Sequence, residues 1–339
     1  MLTEKENYLK ALSGEQPEWV PSYTFGAMPG AAKPVPTHMH EPPILIPHRL
    51  AGGGKDIWGV NYVPTVETAN AILPEPDNFL LKDIRQWRDV IKAPDISGVD
   101  WEDMVKKNLE QTKIDRTQTA LALNLHFGYF QHLMSFMGFS EGLVAMFEEP
   151  DEVMDLFTYI CDFFMEVAKN VIDIYKPDVL TFMDDTAAWG SSFISRQMYK
   201  DMLVPFHDRW AQMGRDRGLK MTMHNCGKCE DILDLLVDMG INAWDPAQTC
   251  NDLEAVKAKF GNKLVIAGGW DGRGRLLDPD VTDEEIVASV EETFNKLAPG
   301  GGFAWCGGFL GPIGDEETKR KNEVLQGAVD RLAYSFYNS

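Results

Sequence analysis

The sequence predicts an α/β protein: a (β/α)8 barrel of the TIM type, with residues 1–339 as a single domain. Residues 1–115 form an N-terminal extension of helix, loop and hairpin within it. Three observations predict this. From Thr119 onward short apolar runs alternate with helical patterns, about seven or eight such units, which implies parallel strands joined by helical crossovers. No Gly-x-Gly-x-x-Gly opens a helix after the first strand, which argues against an open dinucleotide-binding sheet. Polar residues gather where the apolar runs end, and in a closed barrel those ends share one face.

The elements follow in order. Thr3–Ser13 carries Tyr8, Leu9 and Leu12 at helical spacing and stops at Gly14. Val20–Phe25 reads as a strand. Gly26–Pro47 is dense in Pro, Gly and His, which suits a loop over a binding face. The wider stretch Gly26–Gly54 is expected to be a mobile cover, with His38, His40 and His48 exposed. Asp56–Val63 and Ala69–Leu73 suggest a hairpin, and Asp100–Ile114 a helix. The regular rhythm then starts with a strand at Thr119–Leu125. Helical segments over Ser140–Tyr175 are divided at Pro150-Asp151. Strands are expected at Asp178–Met183, Leu219–Met223, Ile241–Trp244, Lys263–Ala267 and Gly302–Trp305. Between and after them, helices are expected at Ser195–Arg217, Glu230–Met239, Asp252–Phe260, Thr282–Leu297 and Asp315–Phe336. Ser195 is a suitable cap, and Thr282-Asp283-Glu284-Glu285 is a capping box.

Composition narrows the function. With 52 acidic and 32 basic residues the formal net charge is -20, which repels a phosphate backbone and disfavours nucleic-acid binding. The first residues lack the apolar core of a signal peptide, and no apolar run approaches the ~20 residues of a membrane span. Five cysteines, an odd number, suit free thiols or metal ligation in a reducing compartment. The expectation is a cytoplasmic protein with no membrane or nucleic-acid partner.

The sharpest motif is Met223-His224-Asn225-Cys226-Gly227, with Trp305-Cys306-Gly307 further along. An imidazole and a thiolate two residues apart at a strand end point to the same side. A thiolate from a second strand end then completes a three-ligand zinc site with one open position. The competing reading of each cysteine is a small buried hydrophobe. Cys226 also forms a Cys-x-x-Cys with Cys229, which raises a redox pair, although Cys229 falls in the first turn of the following helix and points away. Around this motif the strand ends offer Asn124 and His126, Asp184 and Asp185, Trp244 and Asp245, and Trp270 and Asp271.

At these residues the chain resembles the uroporphyrinogen decarboxylase superfamily, and within it the zinc-dependent, corrinoid-linked methyltransferases. The pieces are Asp184-Asp185, Phe193-Ile194-Ser195 leading to Pro205-Phe206, His224-Asn225-Cys226-Gly227, Gly268-Gly269-Trp270-Asp271 and Cys306-Gly307. The likeness covers roughly residues 100 to 339. It implies Zn2+ on His224, Cys226 and Cys306. The arginine-rich N-terminal segment of true decarboxylases is missing, since Ser22–Gly30 is aromatic and neutral. The overall look is similar to the methyltransferase I component of bacterial O-demethylase systems. That implies a methoxylated aromatic substrate and a corrinoid carried by a separate partner protein. No Asp-x-His-x-x-Gly context is present for a cobalamin of its own.

On that resemblance Asp184 and Asp185 are the catalytic candidates, as orienters of His224, substrate ligands or proton donors to the leaving oxygen. For an aspartate pair at a strand end, capping of the next loop is the competing role. The substrate-binding candidates are Phe25, Met28, Asn124, His126, Trp189, Trp270 and Asp271. Trp58, Phe127 and Trp244 complete an aromatic set of which at least half is expected to be core packing. Two rival functions stay open. One is transfer from methyl-corrinoid to a thiol, which needs an anion site at the mouth from Arg273 and Arg275. The other is a uroporphyrinogen decarboxylase-like or tetrapyrrole-binding protein.

Overall fold

Parallel pairing between consecutive strands dominates the computed structural model, which describes residues 2–24, 34–65, 70–312 and 314–337. The chain opens with α1 (Glu4–Leu12), whose Thr3 and Glu6 form a reciprocal capping box. Next come β1 (Thr37–His40), α2 (Pro47–Leu50), β2 (Gly54–Lys55), β3 (Asn61–Pro64) and β4 (Ile72–Pro74). Two helices follow, α3 (Trp87–Val90) and α4 (Trp101–Thr112). The repeating part starts with β5 (Ala120–Asn124), α5 (Tyr129–Met137), α6 (Phe139–Glu148) and α7 (Pro150–Tyr175). It continues through β6 (Val179–Met183), α8 (Arg196–Met202), α9 (Val204–Asp216), β7 (Lys220–His224) and α10 (Leu233–Met239). It ends with β8 (Ala243–Ala247), α11 (Leu253–Phe260), β9 (Val265–Gly268), α12 (Asp283–Leu297), β10 (Phe303–Ala304) and α13 (Glu316–Ser335).

Among the described residues the main sheet has seven strands in the order β1-β5-β6-β7-β8-β9-β10, and β2, β3 and β4 form a separate antiparallel sheet. The expectation of eight strands is met in part among the described residues. Where the eighth was expected, Ser22 makes a single parallel bridge to Trp305, beside β10. The hydroxyl of Thr37 donates to the Thr24 carbonyl at 2.8 Å, tying the same segment to β1 at the other edge. Pro21 explains part of the shortfall, because it has no N–H to extend the ladder. Phe25 lies outside the described residues.

The inner faces of the strands are small: Ala122, Val179, Ala243, Val265, Ala267 and Ala304 cluster with Tyr8 and Leu12 of α1 and with Tyr23. The N-terminal helix therefore fills the space that small strand residues leave, and is part of the core. Outside the sheet one apolar core runs from Val20 to Ala333 and includes Trp58 and Val60 of the hairpin region.

The loop expected over Gly26–Pro47 contains β1, which pairs with β5 from Thr37↔Ala120 to His40↔Leu123. His40 and His48 are buried, against the expected exposure. The expected helix Ser195–Arg217 divides at Leu203, because Pro205 cannot donate and crowds the preceding turn. Ser195 caps its first half as expected, and Thr282 and Glu285 form the expected capping box.

Candidate metal centre

The register of β7 and β8 places His224 opposite Asp245. His224 Nδ1 lies 2.6 Å from Asp245 Oδ2, so the carboxylate accepts the Nδ1–H and leaves the Nε2 lone pair for another partner. Cys226 Sγ is 3.5 Å from that Nε2. Asp185 Oδ1 is 3.8 Å from Nε2 and accepts the backbone N–H of Cys226 at 2.7 Å. One ligand atom from each of Asp185, His224 and Cys226 lies within 4.8 Å of the others. Burial alone would lower the His224 pKa, but the Asp245 hydrogen bond and then the Cys226 thiolate raise it to about 10. The donor set of one nitrogen, one sulfur and one carboxylate suits zinc.

Local chain geometry explains the compactness. Gly227 has φ 87°, and a Cβ there would lie 2.6 Å from the carbonyl oxygens of Ala187 and Ala188. Only glycine lets the loop after β6 lie across the end of β7. Asn225 fastens the same junction, accepting from the Thr186 N–H and donating to the Thr186 hydroxyl.

The remaining expected residues divide. Cys306 is not in the compact group. Burial, and then the nearby Asp245 carboxylate, push its thiol up to about 12. Asp184 is fully buried and lies outside the compact group. It accepts the first-turn amides of α5, Phe130 N–H at 3.2 Å and Gln131 N–H at 3.1 Å, and contacts His207 Nε2 at 3.2 Å. The expected task of orienting the His224 ring falls to Asp245, which accepts its Nδ1–H. That residue stood among the strand-end polar residues, but cross-strand register is invisible in spacing. Gln131 Nε2 donates to Asp185 Oδ2 at 3.2 Å, so the start of α5 holds both aspartates.

Asn124 and His126 form a different group with Glu41, a residue that no motif singles out. Trp189 is 42% exposed, with the Arg273 guanidinium stacked 3.6 Å from its ring centroid. Trp270 and Asp271 line a cleft of about 350 Å3 with Thr249, Asp252, Ser289 and Lys296, and no residue of the metal group lines it. The donor geometry, and not this cleft, marks the site. Trp58, Phe127 and Trp244 are buried in the core. Phe25 and Met28 lie outside the described residues. Cys229 is buried, and its sulfur turns back toward the end of β7, 3.1 Å from the Cys226 carbonyl oxygen and 3.3 Å from Asn225 Oδ1, against the expectation that it points away.

Residues 91–305 match the family model of uroporphyrinogen decarboxylase (URO-D). The chain belongs to the uroporphyrinogen decarboxylase family. Among solved structures, a methyltransferase from Methanosarcina mazei is similar, with a TM-score of 0.61 at 15% identity, covering 98% of this chain and 99% of that one. At that identity the likeness speaks for the fold. No curated protein matches the chain. The uroporphyrinogen decarboxylase match ends at Trp305, just before Cys306, and includes the whole Asp185, His224 and Cys226 group. No described helix is long and apolar enough to cross a membrane.

Proposed function

We propose that the protein is a zinc-dependent methyltransferase that takes a methyl group from a methoxylated aromatic and delivers it to a corrinoid carried by a separate protein. The observation that carries this reading is the Asp185, His224 and Cys226 group, with Asp245 fixing the imidazole tautomer. Those residues would hold Zn2+, with Cys306 as a further ligand from the end of β10. When bound there, zinc supplies Lewis acidity to an ether oxygen, whose departure is otherwise slow. Asp245 keeps the His224 Nε2 lone pair facing the site. Gln131 and the Cys226 N–H hold the Asp185 carboxylate in place.

The surroundings favour an uncharged substrate. Arg273 is paired bidentately with Asp271, and Arg275 with Glu285 and Asp280. Neither is left for the sulfonate of a thiol acceptor, which weakens transfer in that direction. Porphyrinogen decarboxylation needs cations for several carboxylates, and the neutral Ser22–Gly30 segment offers none. The test supplies zinc-loaded protein, guaiacol and a reduced corrinoid protein. The expected product is methyl-cobalt absorbance with release of catechol. Turnover with thiols alone, or ether cleavage at full rate without a corrinoid, would refute the assignment.

A further inference from the structure

Glu41 follows β1 directly, and the register His40↔Leu123 sets it beside Asn124 at the end of β5. Asn124 Nδ2 donates to Glu41 Oε1 at 3.0 Å. His126 comes two residues later, and its backbone N–H donates to Asn124 Oδ1 at 2.9 Å. That bond accompanies a φ of 54° at His126, a left-handed conformation that non-glycine residues seldom adopt. Such a conformation, held by its surroundings, points to a position selected for what the side chain does.

The side chain is held as closely as the backbone. His126 Nδ1 and Glu41 Oε1 are 2.9 Å apart, with 24% and 11% of the side chains exposed. Burial would keep the Glu41 carboxyl protonated, but His126 above all, then Arg49 and Asn124, bring it below the usual carboxylate range. An ionised Glu41 accepts the Nδ1–H and fixes the orientation of the ring. Nε2 makes no hydrogen bond among the described residues and is the free end of the ring.

This pair belongs to the same end of the sheet as the metal group. Asn124 Nδ2 also lies 2.8 Å from Met183 Sδ, and Met183 leads into Asp184-Asp185. Both Asp185 oxygens are already engaged, Oδ1 by the Cys226 N–H and Oδ2 by Gln131 Nε2.

We propose that His126, held by Glu41, is the acid that protonates the oxygen departing from the methyl group; this rests on the methyl-ether reading above. The C–O bond breaks as the acceptor's electron pair takes the methyl carbon. The bonding pair stays on oxygen, which takes the proton from His126 Nε2. The neutral imidazole keeps its Nδ1–H on Glu41 and regains the Nε2 proton from solvent. Glu41 is a positioning residue. The other charged and titratable groups around His126 are His48, Arg49, Asp56 and His132.

The test compares guaiacol with a derivative bearing a cyano group para to the ether oxygen, using zinc-loaded protein and the reduced corrinoid acceptor. The electron-poor phenolate leaves without needing a proton. His126→Gln should lose roughly 100-fold or more in kcat on guaiacol, but under about 10-fold on the cyano compound. Glu41→Gln should show the same selective loss on guaiacol in milder form, because the Nδ1–H then lacks its charged acceptor. Zinc content should be unchanged in both variants. Equal losses on the two substrates, or a His126→Gln enzyme as fast as the parent, would overturn the acid role while leaving the methyl-ether reading intact. A parent protein inactive on every aryl ether would overturn both.

Discussion

His224 has two nitrogens with separate tasks, and the division is set by one neighbour. The 2.6 Å bond to Asp245 takes Nδ1, and the Nε2 side faces Cys226 and Asp185. A carboxylate behind a metal-binding imidazole fixes its tautomer and raises its basicity, and losing such a partner typically costs about 10–100-fold in metal affinity. Purified protein is therefore expected to carry about one zinc per chain, as a three-ligand site with an open position would. Asp245→Asn should weaken zinc binding by about 10–100-fold without abolishing it. Cys226→Ala and Cys306→Ala together should remove most of the metal, as read by metal analysis and competition with a chelator. Full retention in that double variant would sink the site. Cys306 is the instructive member. Its thiol stays protonated beside Asp245 without a cation, and a nearby Zn2+ would reverse that preference.

At the scale of elements, α5 is the part that links the carboxylates to the fold. Its first turn donates two amides to Asp184, and the positive end of the helix favours the negative charge there. Gly128 makes room, since a Cβ at that residue would lie 2.6 Å from Asp184 Oδ1. Replacing this buried carboxylate removes charge-assisted bonds and strands His207. Asp184→Ala should cost about 3 kcal/mol or more in unfolding free energy, measured by urea denaturation. A variant as stable as the parent would deny Asp184 its structural place. Much of this level was legible beforehand: strand-end polar residues, the Thr282 capping box and the helix caps follow from local sequence. What escaped has a common cause. Thr37–His40 lies between Pro36 and Pro42-Pro43, and its composition hides a strand that only pairing with β5 stabilises. Glu41 and Asp245 gain their roles from neighbours on other strands, at separations no motif spacing records.

Across the whole molecule, buried His40 and His48 and half-buried His132 attach the N-terminal part to the sheet and its helices. His40 Nδ1 meets Asn108 Oδ1 at 3.2 Å, which also accepts from Tyr175, so His40 is held as a neutral donor. His48 packs on Tyr62 with ring centroids 4.3 Å apart, and His132 Nδ1 donates to the Gly128 carbonyl at 2.7 Å. Burial lowers each of the three to about 4, against 6.5 in the unfolded chain. The sign follows directly. Between those values the unfolded chain binds more protons, so stability rises with pH there. The contribution is complete above pH 6.5 and is lost as pH falls toward about 4. Each histidine is worth about 1–3 kcal/mol after allowing for partial solvent access. The acidic surface works the other way, because protonating carboxylates relieves self-repulsion in a chain of net charge -20. A fall in unfolding free energy between pH 7.5 and 5 therefore has to come from groups such as these. His40→Gln should flatten that dependence by about one histidine's share, even if it is less stable at pH 7.5. Equilibrium urea unfolding at the two pH values measures both quantities, and a pH slope identical in parent and variant would remove His40 from the account.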